Sequence, residues 1–314
     1  MKPTRIGFLG LNAVGAYFGG TLATNFFCSK EVEVIFLTSP EVVKLIKRSG
    51  LRINTPTSTE MIFPHKVVSD SAGVGPLDYI ICSSKTYELD RALFHAQHSV
   101  TKDTVFIPLL NGLDSKEAIN FTYPDNEVWE GCVDLVAKMI APAIVKESGK
   151  VQTIIYGSDT GSKVKMKELE RIFKDGEIDV VISDNIEKSL WEKFIFISPF
   201  ASLTSFKYKP IGKILNERDN RKMLLALITE MKLIADAKNI PLADDIVKVT
   251  YKKIRKLPKD ASSSMLRDYI IGDSSEYLTL TKYVTDLARQ LNIKTPAYDR
   301  IMFEFRRREL FRVY

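Results

Sequence analysis

Lys193 heads the apolar run Phe194-Ile195-Phe196-Ile197-Ser198-Pro199-Phe200-Ala201-Ser202-Leu203-Thr204. An ammonium in such a run either snorkels to water or is partly desolvated. Desolvation lowers its pKa towards a value suited to proton donation. Further on, Ser262-Ser263-Ser264-Met265-Leu266-Arg267-Asp268 is followed by Glu276, twelve residues after Ser264. Taken singly, the serines read as a cap or loop and Glu276 as an exposed helix residue. Two more polar groups, Ser84-Lys85-Thr86 and Leu110-Asn111-Gly112, each end an apolar run. Either alone is ordinary strand-end polarity.

The third element of chemistry is a glycine turn, Gly10-Leu11-Asn12-Ala13-Val14-Gly15, directly after the apolar stretch at residues 5–9. In the G-x-G-x-x-G pattern the first glycine makes the turn, the second admits a pyrophosphate and the third packs helix on strand. Gly10 and Gly15 fit the first and third tasks. Asn12 replaces the second glycine. Asn tolerates positive φ best after Gly, so the turn is expected to form through a left-handed Asn12, with its side chain near the phosphates.

These groups need elements to hold them. Apolar runs predict strands at 5–9, 32–37, 78–83 and 104–109, with helices at about 14–27, 40–48 and 114–120. Alternating strands and helices imply a parallel, doubly wound α/β sheet. Lys85 and Asn111 then fall just beyond strand carboxyl ends, where ligands bind in such sheets. Residues 128–182 read as β-rich. From about 184 helical periodicity dominates, and Asp184 with Glu187 suggests a capping box opening that half. The expected division is 1–183 and 184–314.

Composition sets outer limits. The chain has 314 residues, 45% of them hydrophobic, enough for two cores. No apolar run approaches the roughly 18 residues that span a bilayer, and the N-terminus does not read as a signal peptide. Cys28, Cys82 and Cys132 are widely spaced, which suggests a reduced, cytoplasmic setting. His65, His95 and His98 do not cluster with other ligand types, so no metal site is expected. The net charge of +6 is either a mildly basic solvated surface or a field for anionic ligands. The short Arg306-Arg307-Arg308 run lacks interleaved aromatics, which argues against nucleic acid.

Lys85-Thr86, Leu110-Asn111-Gly112, Trp191-Glu192-Lys193 and Ser264-Met265-Leu266-x-Asp268, in that order, together resemble the ketopantoate reductase (2-dehydropantoate 2-reductase) family. That family belongs to the 6-phosphogluconate-dehydrogenase-like two-domain reductases. The resemblance covers nearly the whole chain. It implies a Rossmann-like domain followed by an all-helical substrate and dimerisation domain. It also implies NADPH-dependent reduction of 2-dehydropantoate to pantoate in pantothenate and coenzyme A synthesis. By the same resemblance Lys193 is the proton donor, and Glu276 helps order lysine and cofactor. Ser264 binds the substrate carboxylate, and Asn111 contacts both ligands. Lys85 contacts the cofactor, as does the turn from Gly10 through Leu11, Asn12, Ala13 and Val14 to Gly15. A homodimer is the commonest assembly for such a chain.

The departures concern binding. The family places asparagines four and eight residues after the lysine; here Ile197 and Ala201 stand there. Ser198 and Ser202 are one residue off, about 100° around the helix, and a kink at Pro199 would turn them towards the cleft. At the end of the second strand the family typically has arginine, where this chain has Thr38-Ser39-Pro40. Hydroxyls there can accept or donate, so NADP remains the expectation from the resemblance, with NAD not excluded. A same-fold reductase of a more apolar 2-keto acid, or a non-catalytic dinucleotide-binding regulator, are the alternatives.

Overall fold

The computed structural model describes residues 2–149, 151–271 and 275–312. Strand β1 (Thr4–Leu9) leads through the glycine turn into α1 (Ala13–Asn25), and β2 (Val32–Leu37) leads into α2 (Pro40–Ser49). Both strands are buried along nearly their whole length, as strands covered on two faces must be. Then come β3 (Leu51–Asn54), β4 (Thr59–Ile62), β5 (Lys66–Val68), β6 (Tyr79–Cys82), α3 (Leu89–Ala96), β7 (Val105–Pro108), α4 (Ser115–Thr122) and β8 (Glu127–Val128). Six of these strands form one sheet in the order β5-β2-β1-β6-β7-β8, every pair of it parallel. The expected strands, parallel sheet and Rossmann-like layout are present.

The stretch expected to be β-rich is more mixed. It holds β9 (Glu130–Asp134), β10 (Ala137–Ala141), β11 (Ile144–Glu147), β12 (Thr153–Gly157), the helix α5 (Lys163–Asp175) and β13 (Asp179–Ile182). Its strands complete two small sheets, β10-β11-β3-β4 and β13-β12-β9. Helix α5 buries Met166, Leu169, Ile172 and Phe173, a stripe at helical spacing.

The remaining elements are helical: α6 (Ile186–Lys207), α7 (Ile211–Leu215), α8 (Arg218–Ala237), α9 (Ile246–Arg255), α10 (Ser264–Ile270), a π-helical turn at Leu278–Lys282, α11 (Tyr283–Gln290) and α12 (Pro296–Arg312). Helix α6 begins at Ile186, so Asp184 is not its cap; the Ser183 hydroxyl instead accepts the Asn185 N–H at 3.3 Å. On α8, Leu224, Leu227, Ile228, Met231, Ile234 and Ala235 form the buried stripe. Glu230 on the same helix accepts the Ala297 and Tyr298 N–H groups at 2.8 and 3.0 Å, which pins the start of α12. Burial pushes its carboxyl up, against the pull of those two amides. The chain separates into two compact units. One runs to Leu110 and resumes over Asp114–Ile186; the other takes Asn111–Leu113 and the described residues from Glu187 on. No described helix is long and apolar enough to cross a membrane.

Candidate active site

In the first unit the glycine turn is bound tightly into the sheet. The Gly10 N–H donates to Leu37 O at 2.9 Å, and Ser83 N–H donates to Leu9 O at 2.8 Å. Gly10 has φ +84°, and a Cβ there would lie 2.5 Å from Ser84 Cα. A Cβ at Gly15 would strike Ser83 Oγ and come within 2.6 Å of Gly10 O. Both positions therefore require glycine. Ser83 Oγ closes the turn by donating to Gly10 O at 2.9 Å.

Asn12 differs from expectation. Its backbone is extended, φ −81° and ψ −172°, rather than left-handed. It acts through its side chain, whose Oδ1 accepts the Val14 and Gly15 N–H groups at 2.9 and 3.2 Å. Asn12 is thus the N-cap of α1, and it occupies two donors that a bound anion would otherwise use. Leu11, Ala13 and Val14 are partly buried against the core. Lys85 is half-buried and precedes a 3₁₀ turn at Thr86–Glu88.

Ser84 was not singled out by sequence. Its hydroxyl is buried and has no hydrogen-bond partner among the described residues. Buried hydroxyls are nearly always paired, and this one is carried by a residue that lies directly against Gly10. The cradle at Gly10 and Gly15, the α1 N-terminus and the Ser84 hydroxyl fit a dinucleotide. The one misfit is Asn12, which already fills part of the cradle. The signal for Ser84 lay in its place at the end of β6, where Lys85 drew the attention.

The second unit carries the remaining candidates. Asn111 is half-buried on its short segment. Lys193 is half-buried on α6. Ile197, one turn on, is partly buried against the helical core, and Ala201 is fully buried. Of the two apolar replacements only Ile197 presents a surface.

Pro199 does not turn the serines outward. Helix α6 is assigned continuously across it, and Ser198 and Ser202 are both 0% exposed. Ser198 Oγ donates to Leu280 O at 2.6 Å, and its single proton being spent there, Tyr298 OH donates to it at 2.7 Å. Burial holds the Tyr298 phenol protonated, its pKa well above the ordinary value. Ser202 Oγ lies 2.8 Å from Thr281 Oγ1. These hydroxyls tie α6 to the π-helical turn and to α12. Ser198→Ala would leave the Tyr298 hydroxyl and Leu280 carbonyl without this partner. It is expected to cost about 1–3 kcal/mol of stability, read by chemical denaturation, with KM for any substrate unchanged.

Glu276 is 3% exposed, against the exposed-helix reading. It lies two residues before the π-helical turn and its carbonyl accepts the Leu280 N–H at 2.8 Å. Such π turns often mark functional positions. Its carboxylate accepts from Ser264 Oγ at 3.4 Å. Ser263, the cap of α10, lies 2.9 Å from Thr204 Oγ1. Lys193, Ile197 and Ala201 thus run as a stripe along α6, and the Ser264–Glu276 pair is tied in near its later turns. The structure thus pairs Ser264 with Glu276, and the contact that ties this pair to α6 is made at Thr204, eleven residues after Lys193.

A family model described as ketopantoate reductase PanE/ApbA matches residues 6–159. Its C-terminal counterpart matches residues 185–309. An uncharacterised oxidoreductase, YkpB, of Bacillus subtilis is 25% identical over 295 residues, covering 93% of this chain and 95% of the relative. The crystal structure of a 2-dehydropantoate 2-reductase from Porphyromonas gingivalis is 28% identical with a TM-score of 0.82, covering 96% of this chain and 99% of that one. A D-mandelate dehydrogenase solved with NADH and anilino(oxo)acetate has the same fold. Its TM-score is 0.83 at 22% identity, covering 95% of this chain and 96% of that one.

Proposed function

The chain belongs to the ketopantoate reductase family, and on that premise we propose that it reduces 2-dehydropantoate to pantoate with a nicotinamide dinucleotide, a step of pantothenate and coenzyme A synthesis. The family and its NADH-bound structural neighbour support a nicotinamide cofactor. That cofactor, when bound, supplies the hydride. The residues of the chain do the rest. Lys193 holds the proton that the reduced carbonyl oxygen takes, and its charge stabilises the negative charge growing there. Ser264 turns its one hydroxyl proton from Glu276, which it meets at 3.4 Å, to the substrate carboxylate when substrate binds, and Asn111 contacts substrate and cofactor. Lys85 and the turn from Gly10 to Gly15 hold the cofactor. Glu276 helps order cofactor and lysine. The observation that carries this reading is the pairing of Ser264 with a buried Glu276 on the scaffold that presents Lys193. The enzyme is placed in the cytoplasm, as a homodimer.

Ile197 supports a second reading. A branched apolar side chain one turn from the lysine favours a 2-keto acid without a distal hydroxyl. The test compares kcat/KM for 2-dehydropantoate with that for its analogue lacking the terminal hydroxyl, with NADPH, the donor that the resemblance implies, and with NADH. A large preference for 2-dehydropantoate establishes the first reading. A preference for the analogue establishes the second, and no turnover of either overturns both.

Asn12 gives a separate prediction. Asn12→Gly removes the side chain from the α1 N-terminus and frees the Val14 and Gly15 N–H groups. Glycine is itself a tolerable cap, so the stability cost is a few tenths of a kcal/mol, roughly. The dinucleotide Kd is expected to fall severalfold, as read by nucleotide fluorescence. An unchanged or weaker Kd would show that Asn12 does not compete for the cradle.

A further inference from the structure

The glycine turn and the end of β2 are one piece of structure. Strands β1 and β2 are parallel neighbours with Leu9 opposite Leu37, and Gly10 N–H is bonded to Leu37 O. The residues after Leu37 therefore stand beside the pyrophosphate cradle. In this sheet class that corner meets the adenosine ribose: a carboxylate there accepts from the ribose hydroxyls, and an arginine there donates to a 2′-phosphate.

The corner is fully built. Thr38 N–H donates to Val68 O at 3.0 Å, so the chain stays in register with β5 for one residue beyond the strand. Ser39 then caps α2, its Oγ accepting the Val42 N–H at 3.4 Å, and Pro40 sets the first helical φ. Glu41 lies exposed in the first turn of α2. Bonds from its own backbone N–H and from the Ser39 hydroxyl hold its carboxyl below the usual range. That first turn carries an acid and no base; Lys47 and Arg48 lie in the last turn. Arg5 and Lys66 pair with Glu33, at 2.7 and 3.2 Å, four residues back along β2 from Leu37. Lys44, one turn on, attracts Glu41 and offsets part of its charge.

We infer that Ser39 and Glu41 determine cofactor specificity and select NADH over NADPH, the carboxylate accepting from a ribose hydroxyl and repelling a 2′-phosphate. This runs against the NADP expected from the family resemblance, and it rests on the proposed reading of the turn as a dinucleotide site.

The test is direct titration of the protein with NADH and NADPH, following the cofactor's fluorescence, with no substrate present. NADH is expected to bind about tenfold or more tightly than NADPH at low salt, with the gap narrowing as salt screens the charge. Glu41 is exposed, so Glu41→Gln keeps the fold, and it is expected to bring the two constants to within about threefold. Ser39→Arg in the Glu41→Gln background is expected to reverse the order. Equal or tighter binding of NADPH by the unaltered protein overturns the inference and leaves the reductase reading intact. So does a preference for NADH that Glu41→Gln leaves unchanged. Failure of both nucleotides to bind overturns the dinucleotide reading itself, and the inference with it.

Discussion

Lys193→Ala is expected to lower kcat by about 10²–10⁴-fold, the usual contribution of a positioned general acid. KM for the keto acid and Kd for the dinucleotide should change far less. The lysine acts on charge that appears only as the carbonyl is reduced, so the loss belongs to the transition state. The structure keeps the structural cost of the change small. Lys193 is half-buried, while its neighbours Phe194 and Ile195 are 2% and 0% exposed and carry the packing of that turn. Stability should therefore stay within roughly 0.5 kcal/mol. Lys193→Arg should not rescue turnover. Its guanidinium keeps the charge but stays protonated at any working pH, so it cannot release the proton. Lys193→Met controls for the stem, whose methylenes cover apolar surface whether or not the head does chemistry. A variant that keeps kcat within tenfold, with any keto acid that the protein reduces, would remove Lys193 as donor. If instead all three variants unfold at lower denaturant, Lys193 is chiefly a packing residue.

Much of the first unit was legible because burial on two faces writes continuous apolar runs. The strands at Thr4–Leu9, Val32–Leu37, Tyr79–Cys82 and Val105–Pro108 all carry that signature. Helix α5 was missed inside a stretch that reads as β-rich, although its stripe from Met166 to Phe173 has helical spacing. The glycine turn shows a different limit. Its backbone need was readable at Gly10, where φ is +84°. At Asn12 the same logic failed, because a side chain that can cap a helix relieves the backbone of the need to turn left-handed. The serines after Lys193 were misread for a third reason. Their partners Leu280, Tyr298 and Thr281 lie 82, 100 and 79 residues away in sequence. A hydroxyl on an apolar helix must find some partner when buried, but helical phase alone cannot say whether that partner is a ligand or another helix. The same gap hid Ser84, whose lack of a partner is visible only once its surroundings are closed.

Gly10→Ala is the substitution expected to damage fold and binding together. Two penalties meet at that position. A non-glycine residue at φ +84° costs about 1–2 kcal/mol. Its methyl would also lie 2.5 Å from Ser84 Cα and 2.7 Å from Ser84 N. These are backbone atoms that no rotamer change can move aside. They are held by the register of β6 on β1, in which Leu9 faces Cys82, so relief means parting the strand ends; forced overpacking adds about 1–3 kcal/mol. The sum is a loss of roughly 2–5 kcal/mol, with dinucleotide binding weakened at least tenfold because the cradle itself is displaced. Gly73→Ala separates the two penalties. Gly73 has φ +75° with nothing within 4 Å of its added Cβ, so it should show the conformational cost alone and leave binding untouched. Gly15→Ala tests the other wall. Its methyl would meet Ser83 Oγ and stand 2.6 Å from Gly10 O, breaking the bond by which Ser83 closes the turn. Ser83→Gly should recover part of that loss, because the hydroxyl can be removed while the Gly10 carbonyl cannot. It should recover nothing for Gly10→Ala, whose clash is with backbone. Equal destabilisation by Gly10→Ala and Gly73→Ala, with binding retained in both, would mean that the sheet yields at this turn and that Gly10 is there for its φ alone.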